Sequence, residues 1–86
     1  MAWTIKFSKA ADKALRKLDK SISSKIITAL EKISMLENPH SCGKALQYNL
    51  GGLWRYRVGD YRIICHIEND ELIILVVDVE HRSKIY

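Results

Sequence analysis

The feature that most constrains this chain is the β-type patterning of residues 53–80, in which apolar and polar side chains alternate between two turn signals. The successive segments and turns are Leu53–Val58, Gly59-Asp60, Tyr61–Glu68, Asn69-Asp70 and Glu71–Glu80. Two-residue turns between alternating segments predict an antiparallel meander of three strands. The last strand contains the unbroken apolar run Leu72–Val77, which predicts burial on both faces and a central position in the sheet.

The residues before the meander have the patterning of a strand followed by two helices. Trp3–Phe7 alternates like a half-buried strand, and Ser8 is a suitable helix N-cap. Apolar residues at helical spacing predict one amphipathic helix from Lys9 to about Leu18. A second helix begins after Ser21 and continues until Asn38-Pro39 stops it. Two helices in tandem predict a helical hairpin.

This order of elements predicts an α+β fold: an N-terminal strand, then a two-helix hairpin packed on one face of a mostly antiparallel, twisted sheet. With 86 residues, one domain over positions 1–86 is expected. The segment Lys44–Leu50 lies between turn signals and predicts a loop with one short strand. Cys42 and Cys65 lack disulfide or metal spacing, and no apolar run is long enough to span a membrane, so we expect a cytoplasmic protein.

Arginines concentrate on one side of the predicted meander. Arg55 and Arg57 alternate with aromatic residues, so a period of two places both arginines on one face of a strand. With a two-residue turn at Gly59-Asp60, Arg57 lies directly opposite Arg62 on the next strand. Because like charges in opposite positions destabilise a sheet, a bound polyanion is one way to offset the repulsion.

A solvated face is the alternative, with the arginines paired to carboxylates of which the candidates are Glu68, Glu71 and Glu80. The distribution of lysine and arginine along the chain favours an anion-binding site. Eight of the nine cationic residues in positions 1–44 are lysines, whereas four of the five in positions 45–86 are arginines. Lysine suits a solvated helix, and the planar fork of arginine suits phosphate. The net charge of +4 fits an acidic protein or a nucleic acid as partner.

The last residues add an imidazole, a guanidinium and a phenol: His81, Arg82 and Tyr86. An aromatic side chain in this position can stack on a base of single-stranded RNA. The sequence has no glycine-rich phosphate loop, no zinc-ligand spacing and no serine-nucleophile motif. We therefore expect neither a cofactor nor a metal.

These residues resemble the RelE/ParE superfamily of type II toxin–antitoxin toxins. Leu53–Ile64 looks like the central hairpin of that family, and His81-Arg82 with Tyr86 looks like its closing motif. The resemblance covers nearly the whole chain and implies the RelE-like microbial RNase fold. For RelE-like members it implies ribosome-dependent cleavage of mRNA in the decoding site, by metal-independent attack of the RNA's own 2′-hydroxyl on the adjacent phosphate.

The resemblance also implies roles for individual residues. Arg55 and Arg57 occupy positions where relatives have basic residues, often lysines, one of them proposed as a general base. Arg62 would stabilise the charge on the phosphorane, Arg82 would act on the leaving 5′-oxygen, and Tyr86 would orient or stack the scissile nucleotide. Arginine stays protonated at neutral pH and is a poor proton acceptor. We therefore expect electrostatic catalysis with His81 or Tyr86 assisting proton transfer.

The implied partners are a cognate RelB-like antitoxin, which wraps and neutralises the toxin, and the ribosome with its mRNA; no membrane is implied. Three other functions stay open. A ParE-like chain inhibits DNA gyrase and cuts no RNA, although such chains tend to lack the full set of basic residues and the terminal aromatic. A nucleic-acid-binding module would only grip phosphates, with steep salt dependence. A degenerate toxin would serve only as an antitoxin-binding corepressor.

Overall fold

The computed structural model describes residues 3–45 and 53–81. The elements are β1 (Thr4–Phe7), α1 (Lys9–Arg16), α2 (Lys20–Ser34), a 3₁₀ turn (Pro39–Ser41), β2 (Lys44–Ala45), β3 (Trp54–Val58), β4 (Tyr61–Glu68) and β5 (Ile73–His81). Two helices pack on a five-stranded sheet, as the α+β prediction states. Neither helix is long and apolar enough to cross a membrane within the described ranges.

The sheet has the strand order β1-β5-β4-β3-β2, in which β1 runs parallel to β5 and the other neighbours are antiparallel. The β3–β4 hairpin has the predicted register, with Val58 opposite Tyr61 and Arg57 opposite Arg62. Gly59 has φ +59° in the two-residue turn, a conformation that glycine adopts without steric cost. The turn thereby fixes which side chains of β3 and β4 share a face.

The helices cover one face of this sheet and enclose the core with it. Ser8 caps α1, since its Oγ accepts a hydrogen bond from the Ala11 amide at 3.1 Å. The same Oγ donates to the Val77 carbonyl of β5 at 2.6 Å, so one side chain joins the helix start to the sheet. The fully buried aliphatic residues between the layers are Ile26 and Leu30 of α2, Ile63 of β4, and Ile74 and Val76 of β5.

Two details of the predicted β5 are wrong. The strand has a neighbour on each side, as predicted, but only its helix-facing residues are buried and not both faces. The turn before it has four residues, 69–72, because Glu68 pairs with Ile73. A two-residue turn would have set Glu68 directly opposite Glu71, and the longer connection avoids that repulsion. Leu72 takes a left-handed φ of +55° to complete the turn, and its carbonyl accepts the Thr4 amide at 2.8 Å.

The segment after α2 is fastened to the helix-facing side of β3. The helix ends at Ser34, earlier than the predicted stop at Asn38-Pro39, and the chain then turns through Pro39–Ser41. The Tyr56 hydroxyl donates to the Pro39 carbonyl at 2.6 Å, and Trp54 Nε1 donates to the Cys42 carbonyl at 2.7 Å. These two bonds bring the chain to β2 at the edge of the sheet. The predicted strand in Lys44–Leu50 is present at Lys44–Ala45, and the remainder lies outside the described residues.

The buried thiol of Cys65 predicts alkaline sensitivity. Burial raises its pKa from the ordinary 9.0 to about 12, and burial also raises the pKa of Tyr56 above 10.0. Because the folded-state pKa is the higher one, the stabilisation is complete below pH 9 and is lost as the pH rises toward 12. We expect the Cys65 thiol to contribute a fall of about 2 kcal/mol in the free energy of unfolding between pH 9 and 11, in addition to the fall due to Tyr56, measured by urea denaturation.

In Cys65→Ala the fall should be smaller and should begin nearer pH 10, where the Tyr56 phenol titrates in the unfolded chain. The matched control is Cys42→Ala, because Cys42 is exposed. A wild-type free energy of unfolding that stays constant from pH 8 to 11 would contradict this account.

Candidate anion-binding face

The face of the sheet turned away from the helices carries the three described arginines of the hairpin. Tyr56 and Ile63 point into the core, so their neighbours Arg55, Arg57 and Arg62 project to the opposite side. Arg57 and Arg62 are directly opposite each other, and Arg55 is opposite Ile64. We call this side of β3 and β4 the arginine face. The structure therefore brings together three of the six residues predicted for the site.

The guanidinium groups of the arginine face have no carboxylate partner among residues 3–45 and 53–81. The ion pairs within 4.0 Å there are Arg16 with Asp12 on α1, and His66 with Glu68 on β4. Arg62 is half-buried, and its Nε is inaccessible to solvent and makes no hydrogen bond. A buried unsatisfied donor costs about 1 to 3 kcal/mol, so this arrangement lowers the stability of the folded protein. The alternative of a solvated face neutralised by carboxylates is thus not what the described residues form.

The floor of the arginine face is apolar. Ile64 points outward between Arg62 and His66 and is only 7% exposed. An apolar floor lowers the local dielectric constant, which strengthens the attraction between a guanidinium group and a bound anion. The paired arginines Arg57 and Arg62 repel each other under the same conditions. Both effects favour the binding of a phosphate group.

Lys44 is a cation of this face that the sequence reasoning missed. It lies opposite Arg55 in the antiparallel pair of β2 and β3, and opposite residues in such a pair project to the same side. The side chain is exposed, so it extends the positive charge toward the edge of the sheet. The signal in the sequence was Gly43, a turn glycine with φ +77° directly before the short strand.

The structure does not bring His81 to the arginine face. His81 is opposite Tyr61, whose ring packs against the core, and the two ring centroids are 5.1 Å apart in an edge-to-face contact. The imidazole therefore lies on the helix-facing side of the sheet. Arg82 and Tyr86, the two other predicted site residues, lie outside the described residues.

A β-bulge in β5 explains this placement of His81. Val77 and Asp78 together oppose Ile64, so the alternation of the strand shifts by one residue between Val76 and Val79. Val79 points into the core, and Glu80 projects to the arginine face directly opposite Arg62. Asp78 accepts the Val79 amide at 2.8 Å through Oδ1, which satisfies a backbone donor at the bulge. Because of the bulge, the carboxylate of Glu80 lies beside the arginines and the imidazole of His81 lies on the other face of the sheet.

The other polar residues that the structure describes form no metal site. No group of three or more His, Cys, Asp or Glu side chains is placed to hold a metal ion in the two described ranges. His40 stacks edge-to-face on Trp54 with centroids 4.6 Å apart, which fits a structural role in the loop. His66 contacts Glu68 through Nε2 and Oε1 at 2.6 Å, one strand position beyond the apolar floor.

The family model and the similar proteins that match this chain are all toxins. The model for the ParE toxin of the type II toxin-antitoxin system parDE matches residues 5–86. Toxin RelG of Mycobacterium tuberculosis is 30% identical over 87 residues, which cover 100% of this chain and 98% of that protein. Toxin RelE of the same organism is 36% identical over 52 residues, which cover 60% of this chain and 54% of that protein.

Solved structures share the fold over nearly the full length. The toxin–antitoxin complex RelBE2 of M. tuberculosis superimposes with a TM-score of 0.84 at 26% identity, covering 98% of this chain and 95% of that one. The archaeal RelE–RelB complex of Pyrococcus horikoshii gives a TM-score of 0.78 at 23% identity, covering 98% and 99%. The isolated RelE toxin of Escherichia coli gives a TM-score of 0.72 at 20% identity, covering 99% and 92%.

Proposed function

The chain belongs to the toxins of type II toxin–antitoxin systems, within the RelE/ParE superfamily, and on that premise we propose that it is a ribosome-dependent mRNA endoribonuclease. The observation that carries the proposal is the arginine face, where Arg55, Arg57 and Arg62 share one side of a hairpin without a carboxylate partner among the described residues. A phosphodiester offers the negative charge that this arrangement lacks.

The proposed chemistry is cleavage by the RNA's own 2′-hydroxyl. Its oxygen attacks the adjacent phosphorus, the bond to the 5′-oxygen breaks, and a 2′,3′-cyclic phosphate and a 5′-hydroxyl are formed. Negative charge builds on the non-bridging oxygens in the transition state, where fixed cations stabilise it most. Arg62 is the best placed of the described residues, because its side chain is half-buried beside the apolar floor at Ile64. Arg55 and Arg57 hold the flanking phosphates.

Two proposed roles rest on the resemblance alone. Arg82 acts on the leaving 5′-oxygen, and Tyr86 orients or stacks the scissile nucleotide. His81, which we expected to assist proton transfer, faces the helix layer with Tyr61 and is poorly placed for a proton released on the arginine face. The proton acceptor must therefore be sought among other side chains.

Inhibition of DNA gyrase is the second candidate function, because the matching family model describes a ParE toxin. The arginine face favours RNA cleavage, since binding to a protein target needs no row of guanidinium groups on one side of a hairpin. The two relatives carry the names toxin RelG and toxin RelE, which favours the RelE-like branch.

We further propose that a RelB-like antitoxin wraps this toxin, and that the toxin acts in the cytoplasm, where translating ribosomes are found. The two solved complexes with RelB antitoxins support the first point. The exposed large apolar side chains suit a partner chain that covers much of the surface, and they are Phe7, Ile27, Met35 and Leu36.

A translation extract tests the proposed function. We expect the purified toxin to cut mRNA within the decoding site only when ribosomes are present, with 2′,3′-cyclic phosphate ends. Added antitoxin should abolish the cuts. The parallel assay measures DNA cleavage complexes of gyrase with the same toxin. Intact mRNA together with gyrase-linked DNA breaks would replace this proposal with the ParE-like function.

A further inference from the structure

We propose that Glu80 accepts the proton of the attacking 2′-hydroxyl, an inference that rests on the proposed RNase function and names its general base. The arginines cannot fill this role, because a guanidinium group stays protonated at neutral pH. A carboxylate is ionised there and is a common general base in enzymes. Glu80 brings such a carboxylate to the arginine face.

The bulge in β5 is what places Glu80 there. Ile74 and Val76 point into the core, so uninterrupted alternation would turn residue 80 toward the helices as well. The extra residue at Val77-Asp78 reverses the alternation, and Glu80 then projects outward opposite Arg62. Bulges beside active sites commonly re-aim a side chain in this way.

The bulge is itself held by specific hydrogen bonds. The Ser8 hydroxyl donates to the Val77 carbonyl at 2.6 Å, and the Ser8 amide donates to the Val76 carbonyl at 2.9 Å. Asp78 accepts the Val79 amide at 2.8 Å. With these backbone groups satisfied, the altered alternation is a fixed property of the strand, and the direction of Glu80 is fixed with it.

Glu80 is the one described carboxylate of this face that has no assigned partner. Its charged neighbours are Arg62 on β4, with Arg57 one strand further, and Asp78 on its own strand. Asp78 is engaged by the bulge, and Glu68 is engaged by His66 at 2.6 Å. Glu80 and Arg62 lie directly opposite without an ion pair within 4.0 Å, which leaves space between a base and an electrophile-stabilising cation.

The step balances as a general-base transesterification. The proton of the 2′-hydroxyl moves to a carboxylate oxygen of Glu80 as the 2′-oxygen forms its bond to phosphorus. Arg62 stabilises the phosphorane, the bond between phosphorus and the 5′-oxygen breaks, and the leaving oxygen takes a proton from water. Glu80 then returns its proton to water. No oxidant, metal or other co-reactant enters the reaction.

A simple counter-ion role for Glu80 makes the opposite prediction. If the carboxylate only offsets the charge of Arg62, its removal makes the face more positive, so RNA binds more tightly and is cut at least as fast. If it is the base, its removal slows the chemical step while binding is kept. The substitution Glu80→Gln separates the two roles, because it preserves shape and removes the charge and the basicity together.

The experiment measures single-turnover cleavage of mRNA on programmed ribosomes at neutral pH. The proteins are the wild type, Glu80→Gln and the matched control Glu68→Gln, which alters a carboxylate of the same face that His66 already holds. We expect Glu80→Gln to cleave about 100-fold or more slowly. Its ribosome affinity and melting temperature should stay near wild type. Glu68→Gln should cleave at nearly the wild-type rate.

Cleavage by Glu80→Gln at the wild-type rate or faster would overturn the role of Glu80 and leave the RNase function standing. The proposed function has its own control, a message with a 2′-deoxynucleotide at the cleavage site. If wild type leaves normal mRNA intact, or cuts the deoxy-substituted message equally well, the proposed function fails and the role of Glu80 fails with it.

Discussion

Replacing Arg62 with alanine should lower the rate of ribosome-dependent mRNA cleavage by about 100- to 1,000-fold, the usual effect of removing one donor that stabilises a transition-state anion. The measurement is the single-turnover rate at saturating toxin. Arg62 has the largest expected effect because it combines an apolar setting beside Ile64 with a guanidinium group that has no carboxylate partner in the described residues. Substitution of the more exposed Arg57 removes charge from a better-solvated position and should cost less.

The same substitution should leave the fold intact or make it more stable. Wild type buries Arg62 Nε without a hydrogen-bond partner and sets Arg62 opposite Arg57. Both features cost folding free energy, and alanine relieves both at the expense of some packing by the arginine stem. A melting temperature at or above the wild-type value, together with lost cleavage, would identify a residue kept for function against stability.

Two variants control for charge and for side-chain geometry. Arg16→Ala removes an arginine of α1 that pairs with Asp12 at 3.0 Å, and this exposed ion pair is worth at most about 1 kcal/mol. It should cleave like wild type. Arg62→Lys keeps the charge but loses the planar fork, so an intermediate rate is expected. If Arg62→Ala and Arg16→Ala cleave equally fast, the arginine face has no part in the chemistry.

The sequence was sufficient for the features that depend on short-range patterning. Alternation in Leu53–Val58 and the Gly59-Asp60 turn gave the register of the β3–β4 hairpin and the shared face of its three arginines. Both signals are local, since a glycine with positive φ sets the turn and a period of two sets the face. The α+β architecture followed from the order of elements for the same reason.

The sequence failed where the backbone departs from regular alternation because of contacts distant along the chain. The bulge at Val77-Asp78 is held partly by Ser8, which lies 69 residues away from Val77. No local sequence pattern predicts this bulge. The bulge determines that Glu80 faces the arginines and that His81 does not. The four-residue turn before β5 was missed similarly, because the Thr4 amide of β1 completes it at the Leu72 carbonyl.

Gly43→Ala should reduce the free energy of unfolding by about 2 to 5 kcal/mol, the second largest effect we expect, through left-handed backbone strain and overpacking. Gly43 has φ +77°. A Cβ there would lie 2.4 Å from the Arg55 carbonyl oxygen and 2.7 Å from Trp54 Nε1. Neither atom can withdraw easily, because one belongs to the backbone of β3 and the other is hydrogen-bonded to the Cys42 carbonyl.

Gly59→Ala is the matched control, because it measures the cost of a left-handed backbone conformation without a steric clash. Gly59 has a similar positive φ of +59°, but an added Cβ would meet no atom within 4 Å. Its cost should therefore be the conformational one alone, about 1 kcal/mol. The difference between the two variants in urea denaturation measures how tightly the loop before β2 is packed on β3. Equal losses in the two variants would show that the close approach at Gly43 carries no energetic weight.

Gly43→Ala should also weaken cleavage at temperatures where the variant remains folded. Movement of β2 away from β3 relieves the contact with the Arg55 carbonyl, and it separates Lys44 from Arg55 across the edge of the arginine face. Gly59→Ala leaves β2 in place and should cleave at nearly the wild-type rate. Lys44→Ala in the wild-type background tests the connection, since it removes the cation without disturbing the strand. A similar loss in Lys44→Ala and Gly43→Ala would trace the defect to the position of that cation.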